Sequence, residues 1–303
     1  MELRHIHYFL VLAEEKSFTK AAQRLLIAQP PLSRQIKDLE EELGVELFHR
    51  SSKGVTLTEA GQKFRQYALQ IEHLSNQSVE VVREMDKGLQ GTLYLASVEG
   101  RAPHLISEWI AGFHQLYPHV EFNLWNGNSD DVLQRLQNGL CDLAVIVGPY
   151  NPENLEGQLI FDEPWVAMIP VTHPLAKEPG DSIALEKLAP YELIIPSRHS
   201  RLQEITDWFA MKNVKPKIIC RMAHVLNAYE LTEQNVGIAI YPAAAAIYAD
   251  SQKVITKKLI DPSVTASYYL TQRKEKKLSL VAEEFWKYVI SYINHSISYF
   301  HQS

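Results

Sequence analysis

Cysteine is nearly missing: the 303 residues contain two, Cys141 and Cys220, far apart and each in an apolar run. Neither has CxxC or metal-ligand spacing, so a disulfide framework and a zinc module are set aside. The thiols read as buried and inert, with a redox pair as the alternative. No apolar run reaches membrane-spanning length and no export signal is visible, which predicts a cytoplasmic protein without membrane contact. Nothing matches G-x-S-x-G, H-E-x-x-H, a P-loop or a dinucleotide fingerprint, so neither catalysis nor a cofactor is expected. His5-x-His7 could suggest a metal pair, but on a helix the two side chains diverge, and surface or packing roles are favoured over a metal. Positive charge is missing too. The formal net charge is −6, and residues 1–65 set ten Lys and Arg against nine Asp and Glu. Any contact with phosphates must therefore come from local rather than net charge.

What the chain has is pattern. Phe18, Ala21, Ala22 and Leu25 recur at helical spacing behind Ser17, a residue suited to capping. A second stripe, Leu32, Ile36, Leu39 and Leu43, follows after a tight turn. The small pair Ala21-Ala22 lets the two helices cross closely, and Pro30 and Pro31 fall in the first turn of the second, where a missing N–H costs little. Thr19 and Lys20 on the first helix, with Gln29, Ser33, Arg34 and Lys37 on the second, offer donors and acceptors suited to base edges and phosphates. The arrangement reads as a helix-turn-helix that meets double-stranded DNA; a plain helical hairpin is the competing reading. Residues 47–58 favour the former, since they read as a β-hairpin turning at Gly54 that brings Arg50, Ser52 and Lys53 beside the recognition helix as a wing. Thr58 is placed to cap a further helix, with Gly61 in its first turn. Glu40, Glu41, Glu42 and Glu46 follow the far half of the recognition helix, so the two signs of charge are segregated.

These residues resemble the winged helix-turn-helix of LysR-type transcriptional regulators. The start Met1-Glu2-Leu3-Arg4-His5, the run Phe18-Thr19-Lys20-Ala21-Ala22 and the stretch Ile27 to Ile36 carry the resemblance. Leu39-Glu40, Leu43-Gly44, Leu47-Phe48, Arg50 and Leu57-Thr58-Glu59-Ala60-Gly61 continue it. The segment is most similar to benzoate- and muconate-responsive regulators of aromatic-acid catabolism. Ala28 departs from the pattern, because many members have a capping Ser there; the loss is worth about 1 kcal/mol locally, partly offset by Pro30.

After the wing, Ala60, Phe64, Tyr67, Ile71, Leu74, Ser78, Val81 and Met85 step by four and three, a heptad seam of about four repeats ending near Lys87-Gly88. A second copy of the same helix is the expected partner, and packing on the chain's own effector domain is the alternative. From Gly91 the texture turns to alternating strands and helices, which predicts parallel sheets in two units. Strands are expected at Leu93–Val98, Val120–Trp125, Asp142–Val147, Trp165–Ile169, Leu193–Ile195, Lys217–Cys220, Gly237–Tyr241 and Ser267–Thr271, with a long helix from Leu278. The chain would cross between two lobes near 161–163 and 264–267. The predicted class is α/β: a winged helix-turn-helix at 1–58, a dimerisation helix at 59–88, and a two-lobed, periplasmic-binding-protein-like effector domain at 91–303. Lobe I takes 91–162 and 266–303, and lobe II takes 163–265.

A ligand cleft between such lobes is lined by turns at the C-terminal ends of strands, here Gly100-Arg101, Asn128-Ser129, Gly148, Ser197-Arg198-His199-Ser200 and Pro242. Free N–H groups and helix dipoles there favour a small organic anion. The resemblance implies that the Ser129 hydroxyl contacts the effector and that Pro196-Ser197 begins the matching turn of lobe II. At Gly100 the muconate-type relatives carry Ser; Arg101 beside it either supplies a charge in its place or points to solvent. The resemblance also implies a dimer of dimers and activation through altered DNA bending. A solute-binding receptor would use the same two lobes, but without the helix-turn-helix and with an export signal.

Overall fold

The structure is a computed structural model that describes residues 1–51, 54–87, 89–246, 249–260, 265–275 and 277–300, with side chains undescribed at 77, 79–87 and 296–300. It divides into two compact units, residues 1–88 with 138–140 and residues 89–137 with 141–303.

The first unit opens with α1 (Leu3–Glu15), whose Ile6, Phe9, Leu10 and Leu12 are buried. Lys16 ends it in the left-handed region, φ 53°. Then come α2 (Phe18–Arg24) and α3 (Gln29–Leu43). Ser17 caps α2 by accepting the Lys20 N–H at 3.4 Å. Ala21 and Ala22 are buried against Leu32, Ile36 and Leu39, so the crossing has the small residues a close approach needs. Ala28 caps α3 without a side-chain hydrogen bond, and Pro30 and Pro31 occupy its first turn. Strands β1 (Phe48–Ser51) and β2 (Gly54–Leu57) form the antiparallel wing, pairing Phe48 with Leu57 and Ser51 with Gly54. The Thr58 hydroxyl takes the Gly61 N–H at 2.9 Å and starts α4 (Glu59–Lys87). Gly61 has no room for a side chain, because a Cβ would lie 2.1 Å from the Leu47 carbonyl oxygen.

The heptad seam on α4 is split. Ala60, Phe64, Ala68 and Ile71 pack into the core of this same unit, with Phe64 edge-on to Phe9 at 4.8 Å between ring centroids. Tyr67 and Leu74 stay 64% and 59% exposed, and Ser78 is exposed. The side chains of Val81 and Met85 lie outside the described residues.

The second unit runs β3 (Gly91–Val98), α5 (Ala102–Leu116), β4 (Val120–Gly127), α6 (Ser129–Gln137) and β5 (Leu143–Val147). A 16-residue β6 (Leu155–Pro170) follows, then β7 (Ser182–Ile183), α7 (Leu185–Leu188), β8 (Glu192–Pro196), α8 (His199–Met211) and β9 (Lys217–Met222). The unit ends with α9 (Val225–Glu233), β10 (Ile238–Pro242), β11 (Val254–Leu259), β12 (Thr265–Arg273) and α10 (Leu280–Phe300). In lobe I the order is β4-β3-β5-β12-β6; in lobe II it is β6-β10-β8-β9, with β11 on the other edge of β6. Strand β6 belongs to both lobes: Leu155–Pro164 pairs with β12, and Trp165 onward pairs with β10 and β11.

The expected all-parallel sheets are mixed. Pairs β3–β4, β3–β5, β8–β9, β8–β10 and β7–β11 are parallel, whereas β6 runs antiparallel to β10, β11 and β12, and β12 antiparallel to β5. That follows from the chain passing twice between lobes, since each pass adds a strand running against the βα units. Each lobe has its own core. Trp109, Phe113 and Phe285 centre the first, with Phe113 and Phe285 5.0 Å apart; Trp165, Ile205, Trp208 and Phe209 centre the second.

Candidate DNA-reading face and effector cleft

On α3 the buried stripe leaves Gln29, Pro30, Pro31, Arg34 and Lys37 exposed and Ser33 half-buried; Thr19 and Lys20 are exposed on α2. The start of α3 is therefore a free polar end whose only first-turn interruptions are prolines that lack an N–H. Lys37 makes an exposed pair with Glu41 at 3.1 Å. Arg50, assigned from the sequence to the wing beside the recognition helix, lies on β1 and is paired within the head. Its guanidinium lies 2.9 Å from the Glu40 carboxylate and 5.2 Å over the Phe18 ring. Glu40 in turn accepts the Leu47 and Phe48 N–H groups at 2.8 and 3.1 Å, tying the wing to α3. Ser52 and Lys53 lie outside the described residues. The two N-terminal histidines part company: His5 Nε2 meets Gln35 Oε1 on α3 at 2.9 Å, and His7 Nδ1 meets Glu72 on α4 at 2.8 Å.

Between the lobes of the second unit lies a cavity of about 290 Å³. Of the nine sequence-assigned effector residues, Gly100, Asn128, Ser129, Ser197, Arg198 and Pro242 line it. Gly148 and His199 line a neighbouring open groove instead. Arg101 faces a third groove, with its guanidinium 5.2 Å over Phe161, so it does not stand in for the serine missing at Gly100. Sequence reasoning passed over Glu99, Trp165, Arg201, Tyr241 and Tyr268, all of which line the cavity. The first and third of these sit one or a few residues from turns that were read; the aromatic three are strand residues whose exposure to a cavity depends on which strands meet there.

The expected free helix ends are largely occupied. Asn128 Oδ1 takes the Asp130 and Asp131 N–H groups at 2.9 and 3.1 Å, so Asn128 caps α6. Glu99, from lobe I, crosses to α9 of lobe II, where its carboxylate accepts the Val225 N–H at 3.2 Å and meets His224 Nδ1 at 2.9 Å. Arg198, before α8 in lobe II, reaches three groups of lobe I: Asp130 at 2.7 Å, the Val147 carbonyl at 3.0 Å and the Pro149 carbonyl at 3.3 Å. Burial pulls its guanidinium below the ordinary value, with Asp130 working the other way. Arg201 donates to the Gly148 carbonyl and to Glu204, and lies 5.4 Å over the Trp165 ring. At the hinge, buried Glu163 on β6 accepts the Tyr268 hydroxyl of β12 at 2.8 Å and the Ala244 N–H at 3.0 Å. Both crossover strands are thereby tied together beside the cavity.

Of the two cysteines, Cys141 is buried, and burial pushes its thiol up to about 12. Half-buried Cys220 sits with Sγ 3.2 Å from Met222 Sδ. Among the described residues no group of three metal-ligating side chains gathers, and no helix is long and apolar enough to cross a membrane.

Comparison with known proteins closes the identification. Residues 3–62 match the model of the bacterial regulatory helix-turn-helix protein, lysR family, and residues 86–293 match the LysR substrate binding domain. The transcriptional regulator BenM of Acinetobacter baylyi is 28% identical over 93% of this chain and 93% of its own. Full-length CbnR bound to its target DNA is 25% identical, with a TM-score of 0.73 over 96% of this chain and 99% of that one. The effector-binding domain of QuiR in complex with shikimate is 25% identical, with a TM-score of 0.61 over 68% of this chain and 99% of that one. An N-terminal helix-turn-helix unit and a two-lobed substrate-binding unit, each matched by its own family model, make the chain a member of the LysR family of transcriptional regulators, not of a family of enzymes.

Proposed function

We propose that the chain acts as a cytoplasmic, promoter-bound regulator whose output is set by a small organic acid held between Ser129 of lobe I and Ser197 of lobe II. One observation carries the reading: the cavity is lined from both lobes, so a ligand inside it touches each and biases their separation. Its size suits a one-ring or short-chain compound, and its lining includes the apolar side chains of Val98, Val147 and Met222 beside Tyr268. Arg198 beside Ser197 supplies positive potential for one carboxylate. The shikimate complex of QuiR supports a small acid as the class of effector.

DNA is read by Gln29, Arg34 and their neighbours at the start of α3, supported by Thr19, Lys20, Pro30, Pro31, Ser33 and Lys37, with Arg50, Ser52 and Lys53 on the wing. The working division is a reading head at 1–58, a dimerisation helix at 59–88 and an effector domain at 91–303. A head this weakly basic gains affinity by pairing, so two α3 helices in successive major grooves fit a dimer, and a dimer of dimers extends the contact. Footprinting of promoter fragments with the purified chain, with and without acids found by thermal-shift screening, tests the reading. Protection that changes with a bound acid supports it; turnover of the acid, or absence of any protection, defeats it.

A further inference from the structure

On the organic-acid reading above, the charges around the cavity narrow the effector further. Four helices, α5, α6, α8 and α9, begin beside it, and two of those beginnings, α6 and α9, are already supplied with acceptors by the chain. Asn128 caps α6, whose Asp130 and Asp131 also line the cavity. Glu99 reaches over from lobe I and occupies the first N–H of α9, where a second acid group of a ligand would otherwise dock. The starts of α8 and α5 are left without a side-chain cap, and Pro103 in the first turn of α5 lacks an N–H. The lining carries three carboxylates, Glu99, Asp130 and Asp131, against two guanidiniums, Arg198 and Arg201. Both arginines already serve Asp130, Glu204 and the carbonyls of 147–149. A ligand's second carboxylate would therefore enter beside the Glu99 carboxylate, with both lining guanidiniums already paired and His224, the partner of Glu99, half exposed. Trp165 also lines the cavity; it is 1% exposed, and its indole N–H has no acceptor among the described residues.

We propose that Glu99 sets the charge class of the effector: a small acid with one carboxylate and a separate hydroxyl or ammonium donor that Glu99 receives, with dicarboxylates refused. The donor pairs with the Glu99 side chain, and refusal comes from like charge rather than from shape.

The test uses the full chain, wild type and Glu99→Gln, in calorimetry with two matched sets. One set is benzoate, 3-hydroxybenzoate, 3-(aminomethyl)benzoate and isophthalate; the other is butyrate, 4-hydroxybutyrate, 4-aminobutyrate and succinate. On any skeleton that binds, the wild type is expected to favour the hydroxy or amino acid over the diacid by about tenfold or more. Glu99→Gln keeps an acceptor for the Val225 N–H and should narrow or reverse that ratio. A wild-type preference for the diacid overturns the proposal and leaves the organic-acid reading standing, as does an unchanged ratio in a folded Glu99→Gln. Binding of no compound by either protein overturns both. Should Glu99→Gln not fold, the wild-type ratio alone decides.

Discussion

Glu40 shows how much a single side chain in the reading head does. One carboxylate oxygen receives two wing N–H groups and the other receives Arg50, so the residue is both the wing's anchor and the arginine's partner. Glu40→Ala removes two part-buried bonds to the wing backbone and an exposed pair with Arg50, and is expected to cost the first unit about 1–3 kcal/mol, read as a lowered midpoint in thermal denaturation. The same pairing reassigns Arg50, which positions the wing at least as much as it offers charge to a phosphate. Base preference should rest instead on α3: Gln29→Ala is expected to cost about 1–3 kcal/mol and relax discrimination in titrated gel shifts, since Gln29 is exposed at the start of α3. Glu163 gives a residue-scale effect of pH. Burial is the main cause that raises its carboxyl above the ordinary range, with Tyr268, Ala244 and Arg101 pulling it back. Its folded value exceeds its unfolded one, so its contribution to stability is full below about 4.3 and fades as pH rises through the folded value. Urea midpoints taken across that interval should fall less steeply for Glu163→Gln than for the wild type.

At the scale of elements, the segments written in strong periodicity were legible and those whose periodicity serves two masters were not. Ser17 to Leu43 showed its turn, its two apolar stripes and its prolines in the sequence, and α2 and α3 match them closely. The first half of β6 did not read as a strand, because residues 155–164 alternate polar and apolar only loosely while crossing between lobes. Strand β11 was missed outright: it contains Lys257, which is buried with its ammonium on the Glu178 carbonyl at 2.6 Å. On α4 a single heptad count hid two interfaces. Ala68, off the counted seam, is fully buried in the head, whereas Tyr67 and Leu74 on the seam are exposed. Ala68→Glu should therefore unfold the first unit, seen by circular dichroism, because it forces a charge into a packed core. Leu74→Glu should leave that unit folded and instead shift the sedimentation coefficient at micromolar concentration toward the monomer. If Leu74→Glu sediments as the wild type does, the exposed stripe is not where the copies meet.

For the molecule as a whole, the effector unit's two-lobed plan was readable from the βα rhythm, but the cleft's true lining was not, since it is assembled from residues distant in sequence. Arg198 binds groups about 50 to 70 positions away, and Glu99 binds residues more than 120 away. No local pattern announces such pairs. They matter because every one of them joins lobe to lobe. Arg198 and Arg201 together hold Asp130 and three successive carbonyls, 147 to 149, of the opposite lobe. Without them the Glu99 contact with α9 and the β6 and β12 crossovers, tied by Glu163 and Tyr268, would be left to join the lobes. Arg198→Ala is expected to cost on the order of 2–3 kcal/mol, discounted because Asp130 is more than half exposed and returns to solvent. Its clearer signature is geometric. Distances between spin labels placed on α5 and α8 should lengthen and broaden in Arg198→Ala, and a bound effector should shorten them again by restoring contact across the cleft. Unchanged label distances in the variant would mean that packing at the hinge, not the arginine clasp, sets how far the lobes stand apart.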